Sequence, residues 1–85
     1  MASPGESVTI VFLGPLAERA GTQRRLVSAP LDWSGLLGAL EPALAEEVAG
    51  ARVHVACSGK VLGDKTALDA RAGDEIALLP PVSGG

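Results

Sequence analysis

Aromatic residues are nearly absent from this chain: Phe12 and Trp33 are the only two, and there is no tyrosine. A core with so few rings has to be filled by Val, Leu, Ile and Ala, which dominate a hydrophobic content of 47%. That composition suits a packed domain and excludes a disordered chain. Cys57 is the single cysteine, so no internal disulfide is possible and a reducing, cytoplasmic location is expected. His54 is the single histidine, which excludes a metal set or triad built on two imidazoles. Positive charge is also scarce. The formal net charge is −3 and no basic run exceeds Arg24-Arg25, so no nucleic-acid partner is expected. No apolar run approaches the ~20 residues that span a bilayer, so no membrane partner is expected either. The first six residues carry neither a positive segment nor an apolar stretch, unlike a secretory signal. With 85 residues the chain fits one domain. A domain of that size buries only roughly 60–65% of its unfolded surface, so its core is thin.

What is present alternates between strand and helix signals. Residues 8–13, Val-Thr-Ile-Val-Phe-Leu, form a β-branched and apolar run that stops at Gly14-Pro15 and predicts a buried strand. Pro15 suits the first position of a helix over 15–20, with Arg19 in its last turn and Gly21 as a left-handed cap. Residues 23–29 predict a second strand, paired with the first across a loop that contains this helix. Asp32 or Ser34 can cap the next helix. There Trp33, Leu36, Leu37 and Leu40 share one face by their spacing. Pro42 either breaks that helix or starts another, and Leu44 and Val48 give residues 43–48 an apolar edge. Residues 52–57 alternate, with Val53, Val55 and Cys57 on one face, and predict a third strand. Ser58-Gly59-Lys60 reads as a turn, Val61-Leu62 as a short fourth strand, and Gly63-Asp64-Lys65 as another turn. Gly73-Asp74 turns the chain into a fifth strand over 75–79. Strands around one helical segment define an α+β class, with helices on one face of a mixed sheet of about five strands. The β-grasp, or ubiquitin-like, architecture is the natural candidate. Residues 1–79 are expected to form that domain and residues 80–85 a flexible tail.

The tail has a chemistry of its own. Pro80 and Pro81 lack backbone N–H donors and favour extended backbone, so they end the strand and hold residues 82–85 away from the sheet. Residues 80–85 reach roughly 20 Å when extended. Gly84 and Gly85 have no side chains and fit a narrow channel in a partner. A carboxylate at Gly85 is a poor electrophile. Adenylation with ATP activates it, and attack by a sulfur donor then leaves a thiocarboxylate, a sulfur nucleophile on an extended arm. Taken alone, a terminal Gly-Gly is more often a frayed end.

The longer string carries more. Gly73-Asp74-Glu75-Ile76-Ala77-Leu78-Leu79-Pro80-Pro81-Val82-Ser83-Gly84-Gly85 resembles the ending of the molybdopterin synthase small subunit, a ubiquitin-like sulfur-carrier family. Residues 8–13 with Leu16-Ala17-Glu18-Arg19-Ala20-Gly21 resemble that family's first strand and short helix. Residues 56–61 resemble its third strand and turn, although the family often has Asn where Cys57 stands, and residues 62–72 are longer than usual. The resemblance implies a β-grasp fold and a large catalytic partner subunit. It implies a ubiquitin-activating-like adenylyltransferase that uses ATP on Gly85, and a sulfur-donor protein. Sulfur would pass from the thiocarboxylate to cyclic pyranopterin monophosphate, making the dithiolene of molybdopterin. No cofactor is expected on this chain, and most catalytic groups are expected on the large subunit.

Other residues read more simply. Cys57 suits a small buried hydrophobe better than a sulfur relay. His54 reads as strand surface. Ser58-Gly59-Lys60-Val61 lacks the preceding Gly and following Ser or Thr of a phosphate loop. Asp74 and Glu75 read as a turn rather than a carboxylate pair. Alternation puts Leu13 and Leu79 opposite Phe12 and Leu78. Leu13, Leu62, Leu79 and Val82, with Pro80, Pro81 and Ser83, are the candidate partner contacts, and completion of a small core explains the leucines equally well. Carriers for thiamine, tRNA thiolation or cysteine synthesis share such a Gly-Gly end, and Pro80-Pro81-Val82-Ser83 favours molybdopterin over them. A protein modifier joined through Gly85 to lysines fits the same ending, and so does an interaction domain with an inert tail.

Overall fold

Alternation along the first strand decides which side of the sheet is covered. In the computed structural model, which describes residues 6–81, β1 (Ser7–Phe12) buries Val8, Ile10 and Phe12 and leaves Thr9 and Val11 half-buried. α1 (Pro15–Ala20) follows at once, with Pro15 in its first turn. Gly21 closes it in the left-handed region at φ 75°, its N–H donating to the Ala17 carbonyl at 2.9 Å. β2 (Arg24–Ser28) then returns antiparallel to β1, giving the hairpin-like pair whose loop holds a helix.

A two-residue strand that the sequence did not signal, β3 (Leu31–Asp32), precedes the helical segment. α2 (Trp33–Gly38) is capped by Asp32, not Ser34: Asp32 Oδ1 accepts the Gly35 N–H at 2.7 Å. Pro42 opens a separate helix, α3 (Pro42–Ala49), so it acts as a start and not as a kink. Leu36 and Leu40 are buried, and Trp33 and Leu37 pack at the edge of the core, as their spacing predicts. β4 (His54–Cys57) and β5 (Lys60–Val61) form a hairpin, β6 (Asp69–Ala70) pairs with β3, and β7 (Glu75–Leu79) ends the fold.

The main sheet has the order β2-β1-β7-β4-β5. β7 lies at its centre, parallel to β1 and antiparallel to β4, so the sheet is mixed. Val8, Ile10, Phe12, Val55, Ile76 and Leu78 meet Leu16, Leu36, Leu44 and Val48 of the helices in one buried cluster. Each such side chain contributes on the order of 1.5–3 kcal/mol by leaving water. Lys65 ties the helical layer to the chain beyond it. Its Nζ donates to the carbonyls of Val48 at 2.9 Å, Val53 at 2.7 Å and Gly50, closing the C-terminal end of α3.

Candidate functional site

The site is the point where the central strand leaves the sheet. β7 is hydrogen-bonded on both sides along its length: Leu78 stands opposite Phe12 on one side and Val55 on the other, and Leu79 stands opposite His54. Because β1 and β7 run parallel, their C-terminal ends lie at the same end of the sheet. β1 turns away there. Gly14 sits at φ 56°, ψ −133°, and the Leu16 N–H donates to the Leu13 carbonyl at 3.2 Å. These are the dihedrals of the first central residue of a type II′ turn, which favours glycine. Pro80, half-buried, passes beside this turn: a Cβ placed on Gly14 would stand 3.4 Å from the Pro80 Cγ. Pro81, exposed, borders a hollow lined by Glu46, Glu47, Gly50 and Arg52 at the end of α3. The remaining predicted tail residues, Val82, Ser83, Gly84 and Gly85, lie outside the described residues.

Around this exit the face of the sheet away from the helices is apolar at Val11, Ala77, Leu79 and Leu13, and polar at Arg24, opposite Val11, and His54, opposite Leu79. One register row crosses all five strands as Arg24, Val11, Ala77, Ala56 and Val61. Leu79 is half-buried one step along β7, and Leu13, past the end of β1 rather than within it, is 38% exposed. Leu62 behaves differently from the other two leucines, because it packs against the core cluster. Its strand neighbour Val61 instead lies on the open face, 58% exposed, and Leu26 of β2 is 65% exposed. Sequence reasoning did not single out these two. The alternation of β2, in which Leu26 stands between Arg25 and the half-buried Val27, carried that signal for Leu26.

The other end of the sheet is a polar knot. Asp74 Oδ2 accepts the Arg71 backbone N–H at 2.8 Å, and its Oδ1 accepts the Ser58 hydroxyl at 3.0 Å. These bonds hold the Asp74 carboxyl below the ordinary carboxylate range, the Arg71 N–H contributing most. Cys57 points its thiol at the same carboxylate from 3.9 Å. Burial first, and then the Asp74 charge, push that thiol upward, away from a reactive thiolate. The carboxylate thus ties a turn, as the Gly73-Asp74 pair predicts. Ser58 and Gly59 both have positive φ, 51° and 84°, and form a two-residue hairpin loop of type I′. Lys60 therefore belongs to β5, not to the turn. His54 is exposed on its strand. Among the described residues no group of three His, Cys, Asp or Glu is placed to hold a metal ion, and no helix is long and apolar enough to cross a membrane.

A mixed five-stranded sheet with helices on one face and the C-terminal strand at its centre defines a ubiquitin-like β-grasp protein. The pattern of the ThiS family matches residues 10–85, and the chain belongs to that family of β-grasp sulfur carriers. Solved structures agree. SAMP1 from Haloferax volcanii superposes with a TM-score of 0.71 at 33% identity, covering 93% of this chain and 99% of that one. The small archaeal modifier protein 1 from Methanosarcina acetivorans gives a TM-score of 0.71 at 28% identity, covering 93% and 96%. A complex of subunits 1 and 2 of the molybdopterin-converting factor from Helicobacter pylori shares the fold, with a TM-score of 0.64 at 24% identity over 93% and 99%. No curated protein sequence gives a significant match.

Proposed function

We propose that this chain is the sulfur carrier of molybdenum-cofactor biosynthesis, and that Gly85 carries the sulfur. The observation that supports this best is the continuity of a doubly paired central strand with Pro80-Pro81-Val82-Ser83-Gly84-Gly85. A rigid strand followed by two prolines gives a slender terminus a fixed base. The chain acts as a protein substrate for others. An adenylyltransferase joins the Gly85 carboxylate to AMP from ATP and releases pyrophosphate. A persulfide on a donor protein displaces AMP, and a thiol reduces the resulting acyl disulfide to a thiocarboxylate. The carboxyl carbon needs no cofactor on this chain for any of these steps.

The open face supplies a surface for the partners. Val11, Ala77, Leu79 and Leu13 surround the exit of the tail, and a large synthase subunit seated there would receive Pro80 to Gly85 in its own active site. The subunit 1 and 2 complex of Helicobacter pylori is consistent with such an assembly. The thiocarboxylate sulfur then attacks cyclic pyranopterin monophosphate, and water cleaves the acyl–sulfur bond, restoring the carboxylate.

A second reading has a specific observation behind it, the 33% identity to SAMP1 and the modifier named among the other relatives. In that case the activated Gly85 is attacked by a lysine amine and the product is an isopeptide. The product separates the two. Chain loaded with sulfur, mixed with the large subunit and cyclic pyranopterin monophosphate, is expected to yield molybdopterin in amounts that track loaded carrier. Lysine adducts of this chain in cell extract, with no molybdopterin formed in the reconstituted reaction, would reverse the assignment.

A further inference from the structure

The two edges of the main sheet are built differently. β5 is a two-residue edge that carries the exposed Lys60, and so short and charged an edge offers a partner little to pair with. β2 is a five-residue edge. The Phe12 N–H donates to the Gln23 carbonyl and the Ala29 N–H to the Glu6 carbonyl, and in the register with β1 this turns the backbone groups of Arg25 and Val27 inward as well. Those of Arg24, Leu26 and Ser28 therefore point out of the sheet. Thr22 closes the first of these: its hydroxyl donates to the Arg24 carbonyl at 2.8 Å and accepts the Arg24 N–H at 3.3 Å. Beyond Ser28 and Ala29, Pro30 has no N–H to offer. What stays open is a window of two residues, Leu26 and Ser28, whose outward N–H and C=O groups have no partner among the described residues. The Leu26 side chain beside it is 65% exposed, more than Leu13 or Val61.

We propose that this window pairs with the same window of a second copy of the chain, strand against antiparallel strand, about a two-fold axis at Val27. In that register Leu26 of each copy stands opposite Ser28 of the other, so every open N–H and C=O of the window is used. An axis at Leu26 would set Ser28 against the closed Arg24, and an axis at Ser28 would set Leu26 against Pro30, so both leave open groups unmatched. The side chains agree with the register. Val27 meets its own copy in the close, non-hydrogen-bonded pair, which suits a β-branched residue, and the two Leu26 side chains lie on a diagonal within reach of each other. Arg24 faces Pro30 and Arg25 faces Ala29, so no like charges are opposed. The Arg25 guanidinium is turned back to its own chain, donating to the carbonyls of Ala39 at 2.8 Å and Ala20 at 3.3 Å and to Glu41 Oε1 at 2.9 Å. An unstructured segment of another protein has to become extended before it can make these bonds, whereas a second copy brings a strand already formed. The pairing joins two sheets into one. Its axis is normal to the sheet, so both open faces lie on one side and the two tail exits at opposite ends, uncovered. The contact is smaller than a standard interface, so it forms at high chain concentration. It does not depend on the sulfur-carrier reading.

The test follows the full chain from dilute to millimolar concentration, its mass by sedimentation equilibrium and its amides by hydrogen exchange in NMR. The apparent mass is expected to rise toward that of a dimer. Exchange at the Leu26 and Ser28 amides is expected to slow with it, while the amides of Arg25 and Val27, already bonded to β1, change little. Leu26→Lys places a cation at the window of each copy and should weaken association roughly tenfold or more. Ser28→Pro removes an N–H that only the second copy uses and should do the same, so a failure of one variant to fold leaves the other. A chain that stays monomeric at millimolar concentration overturns the proposal. So does a dimer whose Leu26 and Ser28 amides exchange as fast as in the monomer, or one that neither substitution weakens, since such a dimer joins through another surface.

Discussion

The two faces of the main sheet come from the same strands yet meet different surroundings. On the helix side Val8, Ile10, Phe12, Val55, Ile76 and Leu78 are 2% exposed or less. On the other side Val11, Ala77 and Leu79 are half-buried, and Leu26 and Val61 are largely exposed, although these residues are also apolar. A strand with one solvated face ordinarily alternates apolar with polar residues. Here the second face departs from that rule around the exit of the tail, where an apolar patch is a mark of interaction. The comparison teaches that one face holds the fold and the other is available to a partner.

That division can be broken by substitution. The largest stability effect belongs to the covered face. Leu78→Ala should cost about 2–5 kcal/mol in denaturant unfolding, while the fraction still folded should accept sulfur normally. A loss below about 1 kcal/mol would show that the core is not where burial places it. Leu79→Ser, one residue away on the open face, should do the reverse. Stability should fall by no more than about 1 kcal/mol, and affinity for the large subunit or the adenylyltransferase should drop about tenfold or more, as for a central interface contact. Undiminished binding to both would remove the open face from the account. The smallest effect lies at the far end of the sheet. Asp74 has its folded pKa lowered, so its contribution is present above the unfolded carboxylate value, about 4, and fades as pH falls through the lower folded value. Asp74→Asn should therefore flatten the acid side of the stability–pH profile, with sulfur loading at neutral pH unchanged. An acid slope equal to that of the parent chain would show that the Arg71 and Ser58 bonds do not set it.

Much of this architecture is legible in the sequence where local chemistry is strong. The Val-Thr-Ile-Val-Phe run, Pro15 and Pro42 at helix starts, Gly21 as a left-handed cap and the Gly73-Asp74 turn each have a short-range physical cause. The pairing of β3 with β6 was not legible, because two-residue strands far apart in the chain carry no periodicity. The hairpin was displaced by one residue, since Ser58 takes positive φ without being Gly or Asn and hides the I′ turn. Leu62 packs against the core, the alternative that the sequence left equally open, and its neighbour Val61 is exposed, as alternation requires of adjacent residues. The nearness of Gly14 to Pro80 was hidden as well. As sequence the glycine is a strand terminator, and only the parallel pairing of β1 with β7 brings it against Pro80.

The most direct test of the carrier role is the intact mass of the chain, ending at Gly85, after incubation with an adenylyltransferase, ATP and a persulfide donor. The account predicts replacement of one oxygen by sulfur, mapped by fragmentation to Gly85 and lost when Gly84 and Gly85 are removed. An unchanged mass, with the same adenylyltransferase active on another carrier, would contradict it.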